Sequence, residues 1–156
     1  MKAFTEHLKE FSFYEEADRQ LNKGKTVAIS ACAAAQKCQM IYTYGENYPY
    51  KIVIQPDDVK AKEVYEDYRF FDKDVVLFPA KDYIFFQADI RGKEMTRERM
   101  ICFRKILSGE KVTIITTPDT FMAPVLPLSV LQENCIYIGK GSVIEETAIA
   151  KKLVRM

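Results

Sequence analysis

The sequence predicts an α/β fold, a parallel sheet of about five strands with helices packed on its faces. Five short runs of β-branched and apolar residues recur along the chain: Val27–Ile29, Ile52–Ile54, Val75–Phe78, Val112–Ile115 and Ile136–Ile138. These runs are continuously apolar rather than alternating, the pattern of strands covered on both faces. The segments between them are long enough for crossover helices, which parallel neighbours require.

The elements follow in chain order. Ser12 and Glu15 have capping-box spacing, which predicts a helix toward Asn22, ended near Gly24. After the second run, Asp57 is the expected cap of a helix whose stripe of Ala61, Val64, Tyr65, Tyr68 and Phe71 lies against the sheet. A further helix begins near Thr96, presents Met100, Phe103 and Leu107 on one face, and stops at Ser108-Gly109. Pro124 and Pro127 then break any helix and mark a boundary, so residues 1–131 are expected to form one domain and 132–156 the start of another. A second capping box, Ser142 to Glu145, opens a last helix that reaches Met156 with no stop signal, as expected of a chain cut from something longer.

Composition narrows the function. With 48% apolar residues, ten Phe and nine Tyr, the 156-residue chain has material for one core, which excludes wholesale disorder. Charges nearly cancel, 23 basic against 22 acidic, so no uniform basic field draws the chain to nucleic acid. No apolar stretch approaches the roughly 20 residues of a membrane span, and the charged N-terminus is no secretory leader, so a cytoplasmic location is expected. Cys32, Cys38, Cys102 and Cys135 have neither C-x-x-C spacing nor a nearby histidine, and read as small buried apolar residues rather than metal ligands or disulfide partners.

The turn after the first run is where an α/β sheet of this kind binds phosphate. It reads Ser30-Ala31-Cys32-Ala33-Ala34-Ala35-Gln36-Lys37-Cys38. Set against G-x-x-x-x-G-K-[ST], Ala31 and Gln36 replace the glycines, Lys37 remains, and Cys38 replaces the magnesium-binding hydroxyl. Side chains at the glycine positions obstruct close approach of the backbone, and a thiol is a poor ligand for a hard cation. The later Thr116-Thr117-Pro118-Asp119 offers one carboxylate where a metal-binding pair belongs. No ATPase site is expected, nor any catalytic residue or metal.

With that loop placed, Lys51 to Val130 becomes recognisable. Val75-Val76-Leu77-Phe78-Pro79-Ala80, Thr96-Arg97-Glu98-Arg99-Met100 and Val112 to Met122 resemble the N-terminal region of the bacterial transcription-repair coupling factors, the Mfd family. The resemblance implies a RecA-like domain, related to the first domain of the repair helicase UvrB, whose phosphate loop is degenerate. It implies further that Cys135 to Met156 begins a second domain, which in the family binds UvrA. The ATP- and magnesium-dependent translocase, and the contacts with DNA and RNA polymerase, belong to other parts of the parent protein. The chain departs from the family after Phe78-Pro79-Ala80, with Lys81-Asp82 and Ile84-Phe85-Phe86 in place of Trp-Glu and Leu-Pro-Tyr. UvrB expands this loop into a Tyr-rich hairpin that grips damaged DNA, and Lys81 to Ala88 is too short for one.

Two surface features remain. Tyr83, Phe85 and Phe86 cluster beside Lys81, a combination that can stack bases but more often covers a sheet edge. Between Asp89 and Lys111 stand seven basic and four acidic residues, among them Arg97 and Arg99, which with Lys81 and its aromatic neighbours are the candidate surface for nucleic acid or a partner, although the interleaved acids better suit a solvated helix face with i,i+4 pairs. Asp57 to Asp74 carries the opposite balance, seven acids to four bases. The expected function is a noncatalytic interaction module in transcription-coupled nucleotide excision repair. The alternatives are a nucleotide-binding domain in which Lys37 still holds an anion, and a single-strand DNA-binding module built on Lys81 and the aromatic cluster.

Overall fold

Three parallel strands hold the fold together: β1 (Tyr50–Ile54), β2 (Val75–Leu77) and β3 (Val112–Thr116), in the spatial order β1-β3-β2. The computed structural model describes residues 2–79, 89–136, 138–141, 143 and 145–155. Ile52 pairs with Ile114, and Val76 pairs with the same Ile114 from the other side, so the central strand is β3. The described residues divide into two units, Met1–Met122 and Ala123–Met156.

In the first unit, α1 (Lys2–Lys9) and α2 (Ser12–Asn22) precede α3 (Ala34–Tyr44); α4 (Asp58–Tyr68) and α5 (Asp89–Leu107) then alternate with the strands, and α6 (Pro118–Met122) follows β3. One face of the sheet packs Val53, Val75 and Ile115 against Cys38 of α3 and Ala61 and Tyr68 of α4. The other packs Val76 and Val112 against Cys102 of α5, with Phe78, just after β2, in the same cluster. Ile115 and Tyr68 are fully buried, and each such side chain contributes about 1.5–3 kcal/mol. The second unit carries α7 (Leu128–Glu133) and α8 (Glu146–Arg155), with the Lys152 ammonium donating to the Cys135 carbonyl at 2.8 Å.

The sequence-based expectations hold for the class and for the middle of the chain. Asp57 caps α4, its carboxylate accepting from the Lys60 amide at 2.8 Å, and the expected stripe faces the core. Gly24 and Gly109 take positive φ at the ends of α2 and α5.

Other expectations are corrected. Three strands form among the described residues, not five. Val27–Ile29 runs as irregular backbone, with Ile29 45% exposed, and no strand among the described residues pairs with it. Ile136 and Ile138 stand outside any strand, and Tyr137 lies outside the described residues. Ser12 does not cap α2: Phe11 is the cap residue, and Ser12, already helical, is one position too late. Ser142 of the second capping box lies outside the described residues; Glu145, just before α8, accepts a hydrogen bond from the Thr147 hydroxyl at 2.7 Å. The packed face of α5 is Arg99, Cys102, Phe103 and Ile106, while Met100 is 49% exposed. Cys38 and Cys102 are buried as expected, whereas Cys32 and Cys135 are only half-buried.

Candidate functional site

Loop 30–33 carries the chain from irregular backbone into α3. Ala31 takes φ +59°, the left-handed region in which a Cβ crowds the following carbonyl oxygen. The loop therefore keeps a glycine-type turn at the position where a phosphate loop has its first glycine, but with a methyl group on it.

At the start of α3 the cap residue is Ala33, which has no side-chain acceptor. Gln36 supplies one by reaching back: its carboxamide oxygen accepts from the Ala33 amide at 3.0 Å. That carboxamide lies against the first turn, the part of a phosphate loop that is open to an anion. Lys37 is exposed beside it. Cys38 turns inward, 1% exposed in the core with Val53, Ala61 and Tyr68. Burial, helped by Asp67, pushes its thiol above the ordinary range, which keeps it protonated and unreactive.

A groove of about 690 Å³ opens between this loop and the first two helices, with Phe11, Phe13, Val27, Ile29, Gln36 and Met40 on its walls. The Phe11 and Phe13 rings stack at 5.4 Å, and the Cys32 thiol meets the Met40 sulfur at 3.8 Å. Tyr14 and Tyr44 stack at 4.6 Å, and the Tyr44 hydroxyl is buried with no hydrogen-bond partner among the described residues. Burial, with Tyr14 and Asp18 adding repulsion, raises the pKa of that phenol. The groove is absent from the sequence reading, because its walls come from four separate segments whose meeting no local pattern announces.

The candidate surface residues part company. Arg97 is exposed. Arg99 is 7% exposed: its guanidinium lies 4.1 Å from the centre of the Phe78 ring and donates to the Pro79 carbonyl at 2.9 Å. The two arginines therefore do not share a face. Lys81, Tyr83, Phe85 and Phe86 lie outside the described residues. Among the described side chains of the basic stretch, Lys105 reaches Asp74 at 2.8 Å, just before β2, and Glu110 at 3.8 Å, neither an i,i+4 pair; the side chains of residues 89–96 lie outside the described residues. At the C-terminal end of β3, Thr117 and Thr120 share a buried hydrogen bond at 3.0 Å, while Asp119 is exposed. No three of the His, Cys, Asp and Glu side chains among the described residues gather where they could hold a metal ion. No described helix is long and apolar enough to cross a membrane.

No family model matches the chain. No curated protein matches it either.

Proposed function

We propose that this chain is a noncatalytic interaction module, a RecA-like, UvrB-related first domain of a transcription-repair coupling factor. On this reading it acts in the cytoplasm in transcription-coupled nucleotide excision repair. It meets UvrA through the adjoining second domain, and the ATP-driven translocase and the contacts with DNA and RNA polymerase lie elsewhere in the parent protein. The motifs quoted above support the family, and one observation supports the absence of catalysis. In loop 30–38 the Gln36 carboxamide takes up the Ala33 amide at the start of α3, and Cys38, at the magnesium-ligand position, is buried in the core, so a backbone donor and the side chain at the metal position are committed to the fold. The residues present do not fit a nucleoside triphosphate with its magnesium.

Thermal unfolding with ATP and magnesium tests this. A true binder gains about 2.7 kcal/mol at a hundredfold excess over its dissociation constant, which moves the midpoint by several degrees. The expected result is no shift. A shift that disappears in Lys37→Ala would establish instead the nucleotide-binding reading, which the exposure of Lys37 favours.

A further inference from the structure

We propose that the outer edge of β2 is a strand-addition site for an extended segment of a partner protein with the side-chain pattern apolar–acidic–apolar. The inference does not depend on the family reading.

Among the described residues β2 stands at the edge of the sheet. The Asp74 carbonyl accepts from the Thr113 amide, and the Phe78 amide donates to the Ile115 carbonyl, each at 2.8 Å. In a parallel ladder this alternation turns Val76 toward β3 and leaves the N–H and C=O groups of Val75 and Leu77 pointing outward. Those outward groups have no partner among the described residues. They face a hollow of about 300 Å³, with Tyr65 of α4 on one wall and Arg97, Glu98, Ile101 and Lys105 of α5 on the other. Unpaired edge groups are a template for another strand, and main-chain bonds with alternating side-chain contacts are how such strands are recognised.

The walls specify the guest. Val75 and Leu77 turn their side chains to the α4 face of the sheet, and Val76 turns its side chain to the α5 face. A guest strand in register places its two outer side chains toward Tyr65 and Leu77, which favours apolar residues, and its middle one toward Ile101 and Arg97. On that second wall Lys105 is already held by Asp74 and Glu110, and Glu98 also has a partner. Arg97 is exposed and has no ion-pair partner among the described residues, so it selects a carboxylate at the middle position. Among the described residues the opposite edge is open too, with Tyr50, Ile52 and Ile54 exposed, but no described helix wall or charge there says what covers it.

The test is an NMR titration of the isotope-labelled chain with a short peptide centred on Val-Glu-Val, and with its Val-Lys-Val counterpart. The glutamate peptide should shift the amides of Val75 and Leu77. R97E should weaken its binding about tenfold, the equivalent of about 1.4 kcal/mol, and shift the preference to the lysine peptide, which the native chain binds weakly. Arg97 is exposed, so the variant keeps the fold, which its own spectrum verifies. Four results would overturn the proposal: no shift at Val75 and Leu77 at millimolar peptide, equal binding of the two peptides, shifts confined to Ile52 and Ile54, or edge shifts that follow protein concentration without peptide. The last would make a second copy the occupant. None of these bears on ATP binding, so the edge proposal and the scaffold reading fail separately.

Discussion

Ala31 holds its left-handed backbone with a side chain that disfavours it. The conformation costs a non-glycine residue about 1–2 kcal/mol, against about 0.5–1 kcal/mol of extra chain entropy that a glycine loses on folding. Ala31→Gly is therefore expected to stabilise the protein by about 0.5–1 kcal/mol in urea unfolding, and a loss of stability would show that the methyl group itself packs usefully. The same substitution returns one glycine to the loop but leaves the Gln36 carboxamide in place, so it should not create ATP binding. Residue identity made the altered loop legible in the sequence. The identity of Gln36 did not reveal its second role as a surrogate cap, because that role depends on Ala33 preceding the helix in extended backbone.

Elements were legible where one residue's chemistry fixed them. Asp57 has a carboxylate to offer orphan amides, and the α4 stripe has only one face to bury, so both are apparent from spacing alone. α5 misleads because its buried face includes Arg99, which reads as polar but packs its guanidinium on Phe78 and bonds Pro79. The junction of α3 and β1 is governed by space that the sequence does not display. Gly45 is buried there, and a Cβ built on it would lie 2.6 Å from the Ile41 carbonyl oxygen and would strike the Lys51 stem. Gly45→Ala should destabilise the fold by about 1–3 kcal/mol, measured by denaturant midpoint, as overpacked sites do. A neutral result would mean that the α3–β1 turn has room to shift.

At the scale of the molecule, the class was readable because parallel strands need crossover segments, and three of the runs have them. The number of strands was not, since an apolar run becomes a strand only when a neighbour pairs with it, and Val27–Ile29 meets the first helices instead. Nor did spacing reveal that Lys51, Tyr68, Asp72 and Thr113, from four segments, would converge at the N-terminal end of the sheet. Lys51 meets Asp72 at 3.1 Å with both side chains largely buried, and the Thr113 hydroxyl reaches Asp72 at 3.3 Å. Burial by itself would raise the Asp72 carboxyl. Hydrogen bonds from the Asp74 amide, the Lys51 ammonium and the Thr113 hydroxyl outweigh it and hold the group below its ordinary range. For Lys51, burial is outweighed by Tyr68 and Asp72, and its pKa is raised. The signs give a window: the Asp72 contribution is present above the ordinary carboxylate pKa, about 3.9, and is lost as pH falls through the depressed folded value. The Lys51 contribution is present below its ordinary pKa of about 10.4 and is lost as pH rises through the elevated one. Asp72→Asn leaves a buried ammonium without its counter-charge and should cost about 3–5 kcal/mol at pH 7. Urea unfolding at pH 7 and again near pH 2 measures the gap between the two proteins. The gap should narrow in acid, where Asp72 is itself neutralised; a constant gap would mean that the pair stabilises the sheet by shape and hydrogen bonding and not by charge.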